Sequence, residues 1–297
     1  MRADAVLLVP LLTATELTDM ANEKPRELII EAGRAEQQYW RDLWAYRELF
    51  YILAWRDIVV RYKQTVIGIA WAVIRPFVTV VVLTLVFNRI AKLEAPDGLP
   101  YALFVAAAML PWQFFASALS ESSNSLVSNA SLISKIYFPR LIVPAGSVIT
   151  SLVDFLITLV MLALLMVWHD FLPDWRVLTL PLFMLLAFAA ALGSGLCLCA
   201  LNVKYRDFRY VVPFIVQFGI YLSPVGFSSD RVPDYLRSFY DLNPMVGVLD
   251  GFRWACLRGV VPLDAGSLGS AVVVTTGLCL AGVWYFRRVE RTFADVI

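Results

Sequence analysis

The sequence predicts an all-α integral membrane protein that crosses the bilayer six times. Of its 297 residues, 60% are apolar and only 16% are charged, whereas soluble domains carry about a quarter charged residues. As a helix, about 20 mostly apolar residues span the roughly 30 Å hydrocarbon core. Six stretches have a suitable length, and Arg75 and Asp154 are the only charged residues within them. They are residues 65–87, 101–119, 141–168, 177–203, 210–227 and 268–286.

The distribution of Lys and Arg residues predicts that both ends of the chain are cytoplasmic. Six spans place both ends on one side, and with that side inside, the inner flanks and loops hold 13 basic residues against 7 outside. Basic residues concentrate on the cytoplasmic side. The apolar run at 5–12 lacks the basic start and cleavage site of a signal peptide. We therefore expect a cytoplasmic tail at 1–38, a transmembrane domain at 65–287 and a second tail at 288–297.

Residues 39–64 are predicted to form an amphipathic helix at the inner membrane surface. The segment combines Trp40, Trp44 and Trp55 with many charged residues, a composition typical of helices that lie in the interface plane. A small soluble helix packed on a partner is the alternative.

The outer segment between the fifth and sixth spans, 228–267, is predicted to contain short re-entrant helices. Within it, 245–257 is mostly apolar but is interrupted by Asp250 and Arg253 and is too short to cross a bilayer. Three residues apart on a helix, these two side chains should be neighbours and turn toward the exit. A static external cap is the alternative.

Several function classes are excluded by what the sequence lacks. His169 is the only histidine, which excludes a histidine-pair metal site, and no G-x-S-x-G motif is present. No Gly-Lys dipeptide occurs, so a P-loop is absent. A net charge of +1 without a basic run argues against nucleic acid binding. We expect no catalytic residue, metal or cofactor in this chain, and any ATP to be hydrolysed by another polypeptide.

Six short motifs occur in order along the chain. They are Arg61-Tyr62-Lys63 with Gly68, Trp71 and Pro76; Leu110-Pro111-Trp112 with Phe114-Phe115; 129–140 with Phe138-Pro139-Arg140; Leu201-Asn202-Val203 with Tyr205-Arg206-Asp207; Ser223-Pro224-Val225; and Leu242-Asn243-Pro244 with Arg253. Together they resemble the membrane subunit of one family of bacterial ABC exporters, that of polysaccharides and polyol phosphates, which includes O-antigen, capsule and teichoic acid permeases. One departure is Leu141, where the family pattern has Glu.

The resemblance implies a homodimer in the cytoplasmic (inner) membrane, with a path between the protomers. It also implies two ABC ATPase subunits on the cytoplasmic side, which bind ATP and Mg, and a glycan carried on a polyprenyl diphosphate lipid as the substrate. A permease for a lipid or drug is the alternative within transport, and a membrane-embedded glycolipid transferase is the alternative outside it.

Two inner segments are candidates for contact with the ATPase. Residues 121–140 become amphipathic at helical spacing and are the first candidate for a coupling helix; an amphipathic loop on the lipid surface is the alternative. The basic cluster at 204–209 is the second, although the positive-inside rule alone explains its charge. The candidate residues are Leu132, Ile133, Lys135, Ile136, Tyr137, Arg140, Tyr205, Arg206 and Asp207.

A translocation path and an outer gate complete the predicted sites. Arg75, beside Pro76 in the first span, must face protein or water, where it contacts a diphosphate or pairs with Asp154. Aromatic rings suit a sliding glycan, so the path residues are Trp71, Arg75, Phe77, Trp112, Phe114, Phe115, Phe218 and Tyr221. The gate residues are Asn243, Pro244, Asp250 and Arg253.

Overall fold

The computed structural model of the chain describes residues 35–63, 68–290 and 293, which form helices and connecting loops and contain no strand. A π-helical turn, Leu85–Ile90, continues the helix that ends at Thr84, and the 3-10 turn Trp175–Thr179 leads into the helix that begins at Leu180. The all-α prediction is thus confirmed for the described residues. In chain order, the α-helices are α1 (Ala35–Ala45), α2 (Arg47–Lys63), α3 (Gly68–Thr84), α4 (Tyr101–Ser128), α5 (Ala130–Ile133), α6 (Ile142–Trp168), α7 (Leu180–Lys204), α8 (Phe208–Gly219), α9 (Asp234–Tyr240), α10 (Pro244–Cys256) and α11 (Ala265–Glu290).

Within the described residues, five helices are long and apolar enough to cross a bilayer: α3 with its π-helical continuation, α4, α6, α7 with the preceding turn, and α11. They correspond to the first four and the last of the predicted spans. Of the predicted fifth span, 210–227, only residues 210–219 are helical; they belong to α8, whose 12 residues rise about 18 Å, and turns follow. A continuous helix across 210–227 was therefore a wrong prediction.

Helix α4 forms the centre of the packed core. It packs against α6, α7 and α10. In its most apolar stretch of 18 residues, 78% of the residues are buried, compared with 11% in the corresponding stretch of α3. Small residues make this possible, because Ala106, Ala107 and Ala108 are fully buried and let neighbouring helices approach. Most side chains of α3 are consequently left for lipid or another chain.

Helices α7 and α11 touch through their backbones. A Cβ atom at Gly193 would lie 2.7 Å from the backbone nitrogen of Cys279, and a Cβ at Gly282 would overlap the carbonyl oxygen of Gly193. Only glycine fits at both positions, since interhelical packing in membranes depends on such close approach.

The two ends of the chain depart from the predicted boundaries. The predicted interfacial helix, 39–64, is two helices, α1 and α2, which meet at Tyr46, and α2 packs on α6. Contacts divide the chain after Arg41 into two units, and the described part of the first is helical. Helix α11 continues to Glu290, inside the predicted tail, and Phe293 is helical and buried. The rest of the predicted tails, and residue 64, lie outside the described residues.

Candidate functional site

The loop between α4 and α6, residues 129–141, is the first candidate surface for a partner, and we call it the coupling segment. It lies on the side that the basic residues predict to be cytoplasmic; we call this side inner and the opposite side outer. The sequence predicts an amphipathic helix over 121–140, but residues up to Ser128 belong to α4, and α5 is a single turn. Residues 134–141 precede α6 without forming a helix. The prediction of one helix is therefore wrong, because the chain breaks at Asn129 and again after Ile133.

The coupling segment divides its side chains between the core and the solvent. Ile136 and Tyr137 are 53% and 65% exposed, which is high for apolar side chains that follow a buried helix end. Large exposed apolar side chains often mark a contact with another protein or with a membrane. Of the other predicted residues, Lys135 is exposed, Leu132 and Arg140 are half-buried and Ile133 is buried.

Arg56 and Asn202 make the polar contacts that fix the chain at and just before the start of the coupling segment. Arg56 of α2 donates from Nη2 to Oδ1 of Asn129 at 2.8 Å. Asn202, at the inner end of α7, donates to the carbonyl oxygen of Ser123 at 3.0 Å and to Oδ1 of Asn124 at 2.9 Å. Since Asn202 is buried, these bonds satisfy its amide nitrogen in the core. Arg56 therefore connects the middle of α2 to the end of α4, and Asn202 connects the end of α7 to α4, next to the exposed residues.

The second predicted contact loop, 204–209, joins α7 to α8 and is open to solvent. Tyr205, Arg206 and Asp207 are all exposed. The ring of Tyr205 packs near Phe208, with centroids 6.4 Å apart, and the ammonium of Lys204 lies 5.2 Å from its centroid. An aromatic residue held between a cation and a second ring gives this loop a defined surface.

A cluster of charged and polar side chains joins α2 to the spans α4 and α6. It consists of Arg61, Tyr62, Glu121 and Asp154, and we call it the inner junction. Nη1 of Arg61 donates to Oδ2 of Asp154 at 2.7 Å, and Nη2 donates to Glu121. The hydroxyl of Tyr62 donates to the second oxygen of Asp154. Burial, together with this hydrogen bond, raises the pKa of Tyr62 above its usual value, so Tyr62 remains a donor at neutral pH.

The inner junction corrects one of the two proposed roles of Arg75. Asp154 pairs with Arg61 and not with Arg75, and Arg75 forms no ion pair within the described ranges. Its side chain is exposed on α3, beside the buried Pro76. Contact of Arg75 with a diphosphate stays a prediction.

The predicted path residues fall into two groups. Trp71, Arg75 and Phe77 are exposed on α3, and Phe218 and Tyr221 are exposed at and beyond the end of α8. Phe115 is half-buried. Trp112 and Phe114 of α4 are only 4% and 2% exposed, so both lie in the core of this chain, and their burial does not fit the prediction that they line the path.

Of the exposed group, Tyr221 lines a shallow apolar cavity of about 250 Å³. Leu83 and Phe87 line one side, and the turn after α8, including Tyr221 and Gly226, lines the other. A Cβ atom at Gly226 would lie 2.5 Å from the Phe87 ring, so glycine is required where this turn meets the first span.

The outer short helix α10 is packed inside the protein. Every residue from Met245 to Arg253 is buried, and α10 contacts α4, α7 and α11. Asn243 caps the helix by accepting from the backbone nitrogen of Met245 at 3.0 Å, and it donates to Oγ of Ser223 at 2.9 Å. Pro244 occupies the first helical turn, where its missing N–H costs nothing.

Asp250 and Arg253 are neighbours, as predicted, with a separation of 3.8 Å, but they do not face an exit. Arg253 is fully buried and donates to the carbonyl oxygens of Phe104, Phe227 and Val225 at 3.2, 3.0 and 2.8 Å. Its guanidinium lies 3.7 Å from the centroid of the Phe104 ring. The prediction that this pair turns outward is thus wrong for this structure.

Sequence reasoning missed the residues that act across the chain. Glu121 was placed outside the second span because the apolar window ends at Leu119, yet α4 continues past it. In the sequence, Arg56 is one of the many charged residues of the predicted interfacial helix, and Asn202 is only part of a motif. A signal was present for Asn202, since a buried amide at a helix end needs partners, but the sequence does not say which.

Comparison with known proteins extends the likeness over most of the chain. A family model described as ABC-2 type transporter matches residues 48–257. An O-antigen export system permease protein, RfbA, of Myxococcus xanthus is 26% identical over 259 residues, which cover 86% of this chain and 98% of that protein. The RfbA of Klebsiella pneumoniae is 24% identical over 84% of this chain and 95% of its own length. The polysialic acid transport protein KpsM of Escherichia coli is 24% identical, covering 80% and 91%.

Proposed function

Because this chain belongs to the ABC-2 type transporter family, we propose that it is the non-catalytic permease subunit of an ATP-driven exporter. The exporter moves lipid-linked polysaccharide, of the O-antigen or capsule kind, out across the cytoplasmic membrane. The observation that carries this proposal is the likeness to permeases named for O-antigen export along nearly their whole length.

The energy comes from a separate ABC ATPase, present in two copies. The sequence has no Gly-Lys dipeptide and so no P-loop. Ile136 and Tyr137 project from the coupling segment, and Tyr205 and Arg206 from the 204–209 loop. A hydrophobic centre with a polar rim is typical of a protein interface, so these loops suit docking on a soluble subunit.

A second copy of the chain completes the exporter. Helix α3 leaves most of its apolar surface uncovered, and α8 exposes Tyr210, Phe214 and Phe218. In the homodimer, these faces enclose a path lined by aromatic rings, and Arg75 supplies a cation for the diphosphate of a polyprenyl carrier. A positive charge in a span normally faces such a cavity.

The topology of the proposal has six crossings with both ends in the cytoplasm, as the basic residues favour. The fifth crossing is made by α8 with the turns that follow it, and α9 and α10 form the re-entrant outer pair. Non-helical backbone at membrane depth is tolerated where protein covers it, and Arg253 provides hydrogen bonds for two carbonyl groups of these turns. The exposed Trp44 and Trp55 of α1 and α2 suit the inner membrane surface.

Co-purification tests the partnership. The tagged chain is expressed with a candidate ABC ATPase from the same genome, and the amount of bound ATPase is compared with that bound to Ile136→Asp/Tyr137→Asp. We expect the double variant to reach the membrane but to lose most of the ATPase, since two charges replace apolar contacts. The control, Leu172→Asp, puts the same charge on an exposed apolar residue of the loop between α6 and α7, outside the proposed docking surface, and should keep it. Equal binding by all three proteins would contradict the proposed docking surface.

A further inference from the structure

The last residue of α11, Glu290, and Arg140 of the coupling segment are joined by two reciprocal hydrogen bonds. Oε1 of Glu290 accepts from the backbone nitrogen of Arg140 at 2.8 Å. In return, Nη1 of Arg140 donates to the backbone carbonyl oxygen of Glu290. Each side chain thus binds the backbone of the other residue, across 150 positions of sequence.

An aromatic pair supports this contact from below. Phe293 is fully buried and packs edge-on against Phe286, with centroids 5.4 Å apart and planes at 73°. The guanidinium of Arg140 lies 5.9 Å from the centroid of Phe293. Arginine beside an aromatic ring gains a favourable cation–π contact, so the half-buried Arg140 side chain is held against the end of α11 and Phe293.

The local electrostatics favour a carboxylate at this place. Arg140 stands just before α6, which begins at Ile142, and the N-terminus of a helix carries partial positive charge. Leu141 offers no acceptor side chain here. A carboxylate from α11 therefore stabilises the start of the third span and the coupling segment together.

The opposite end of α11 contacts the outer short helix. Oγ of Ser267 donates to Oδ1 of Asp241 at 2.7 Å, just before α10. A Cβ atom at Gly247 of α10 would lie 2.9 Å from Cβ of Ala271 and closer still to the carbonyl of Ser267. One continuous helix thus touches both the coupling segment and the outer short helix.

We propose that Glu290 and Arg140 form a clasp through which the last span, α11, follows the coupling segment and carries its movement to α10. This inference rests on the proposed exporter function. It makes Glu290 a positioning residue for transport and changes the predicted role of Arg140 from an ATPase contact to an internal one.

Two measurements on Glu290→Ala and Glu290→Gln test the clasp. The first is hydrogen–deuterium exchange of the purified chain: loss of the acceptor should speed exchange of the Arg140 amide about tenfold in Glu290→Ala, and less in Glu290→Gln, which keeps an acceptor oxygen. The second is the amount of glycan transported per ATP hydrolysed by the assembled complex in vesicles, which should fall in the same order. Arg288→Gln, an exposed position on the same helix end, is the control and should match the unchanged chain in both.

The outcomes separate the clasp from the exporter assignment. Unchanged amide exchange and an unchanged transport ratio in Glu290→Ala would overturn the clasp. If transport and ATP hydrolysis fell together, so that their ratio stayed constant, Glu290 would serve folding alone and the clasp would also fail. Should Glu290→Ala not accumulate, the same comparison with Glu290→Gln decides. An unchanged complex that hydrolyses ATP without moving glycan would instead refute the exporter function.

Discussion

Two arginines organise the two sides of the protein in contrasting ways. Arg61, in the inner junction, keeps 33% of its side chain exposed and pairs with carboxylates from α4 and α6. Arg253, beneath the outer turns, is fully buried and binds backbone carbonyl groups from α4 and from the turn after α8. Arg61 joins separate helices by ion pairs between partly exposed side chains. Arg253, in contrast, donates hydrogen bonds to irregular backbone inside the core.

The difference indicates where the protein can rearrange at low cost. Surface ion pairs contribute little to stability and exchange readily with water. A buried carbonyl that loses its donor costs about 1–3 kcal/mol, so α10 and the turns after α8 must move as one body. We expect the inner junction to adjust during transport, while the Arg253 contacts stay intact.

The largest effect should follow removal of Arg253. Arg253→Met leaves three carbonyl groups without their donor and Asp250 as an unpaired buried charge, which should lower stability by about 3–5 kcal/mol. We expect little folded protein and a clear fall in the thermal unfolding midpoint of any that is purified in detergent. Arg253→Lys should be intermediate, because lysine lacks the planar fork that reaches several acceptors.

Two comparisons make that prediction specific. Arg258→Met, at an exposed arginine that donates to one carbonyl, Leu172, should change the midpoint little. Adding Asp250→Asn to Arg253→Met removes the orphaned charge and should recover part of the loss. If Arg253→Met were as stable as Arg258→Met, the hydrogen bonds of Arg253 would not hold the turns after α8 in place.

A smaller effect is expected at the inner junction. The double-mutant cycle of Arg61→Ala and Asp154→Asn should give a coupling energy of about 1 kcal/mol, because both side chains keep contact with solvent. The coupling should shrink when thermal unfolding is repeated at about 1 M salt. A salt-independent coupling of several kcal/mol would mean that the inner junction is as rigid as the outer side.

The smallest effect should come from Arg237 and Asp264, an outer pair separated by 3.1 Å whose side chains are about 40% exposed. If burial and not the side of the membrane sets the contrast, Arg237→Ala should cost about 0.5 kcal/mol or less.

Hydrogen bonds from Ser267 and from the backbone of Gly266 lower the pKa of Asp264. Their stabilisation is therefore complete above about pH 4 and is lost on further acidification, and acid titration of Ser267→Ala should show a smaller loss.

Hydropathy predicted the spanning helices better than their partners. A run of apolar residues is long enough to specify α4, α6, α7 and α11, but α4 continues past Leu119 because its serines and asparagines pack on α7, where Asn202 bonds them. The same scale scores lipid and protein core alike, so it does not reveal that α10 is buried among α4, α7 and α11 or that Arg253 faces the core. Pairs such as Arg61 with Asp154 depend on the tertiary fold, which one sequence without its structure does not specify.

Reconstitution tests the central claim, that this chain opens a path driven by a separate ATPase. The purified chain, alone or with its ATPase, is placed in vesicles that carry the lipid-linked glycan on the ATPase side, and glycan transfer and ATP hydrolysis are measured together. We expect neither activity from the chain alone, and ATP-dependent transfer of the glycan to the opposite side when both subunits are present. Robust ATP hydrolysis by the contaminant-free chain, or hydrolysis by the assembled complex without glycan movement, would contradict the account.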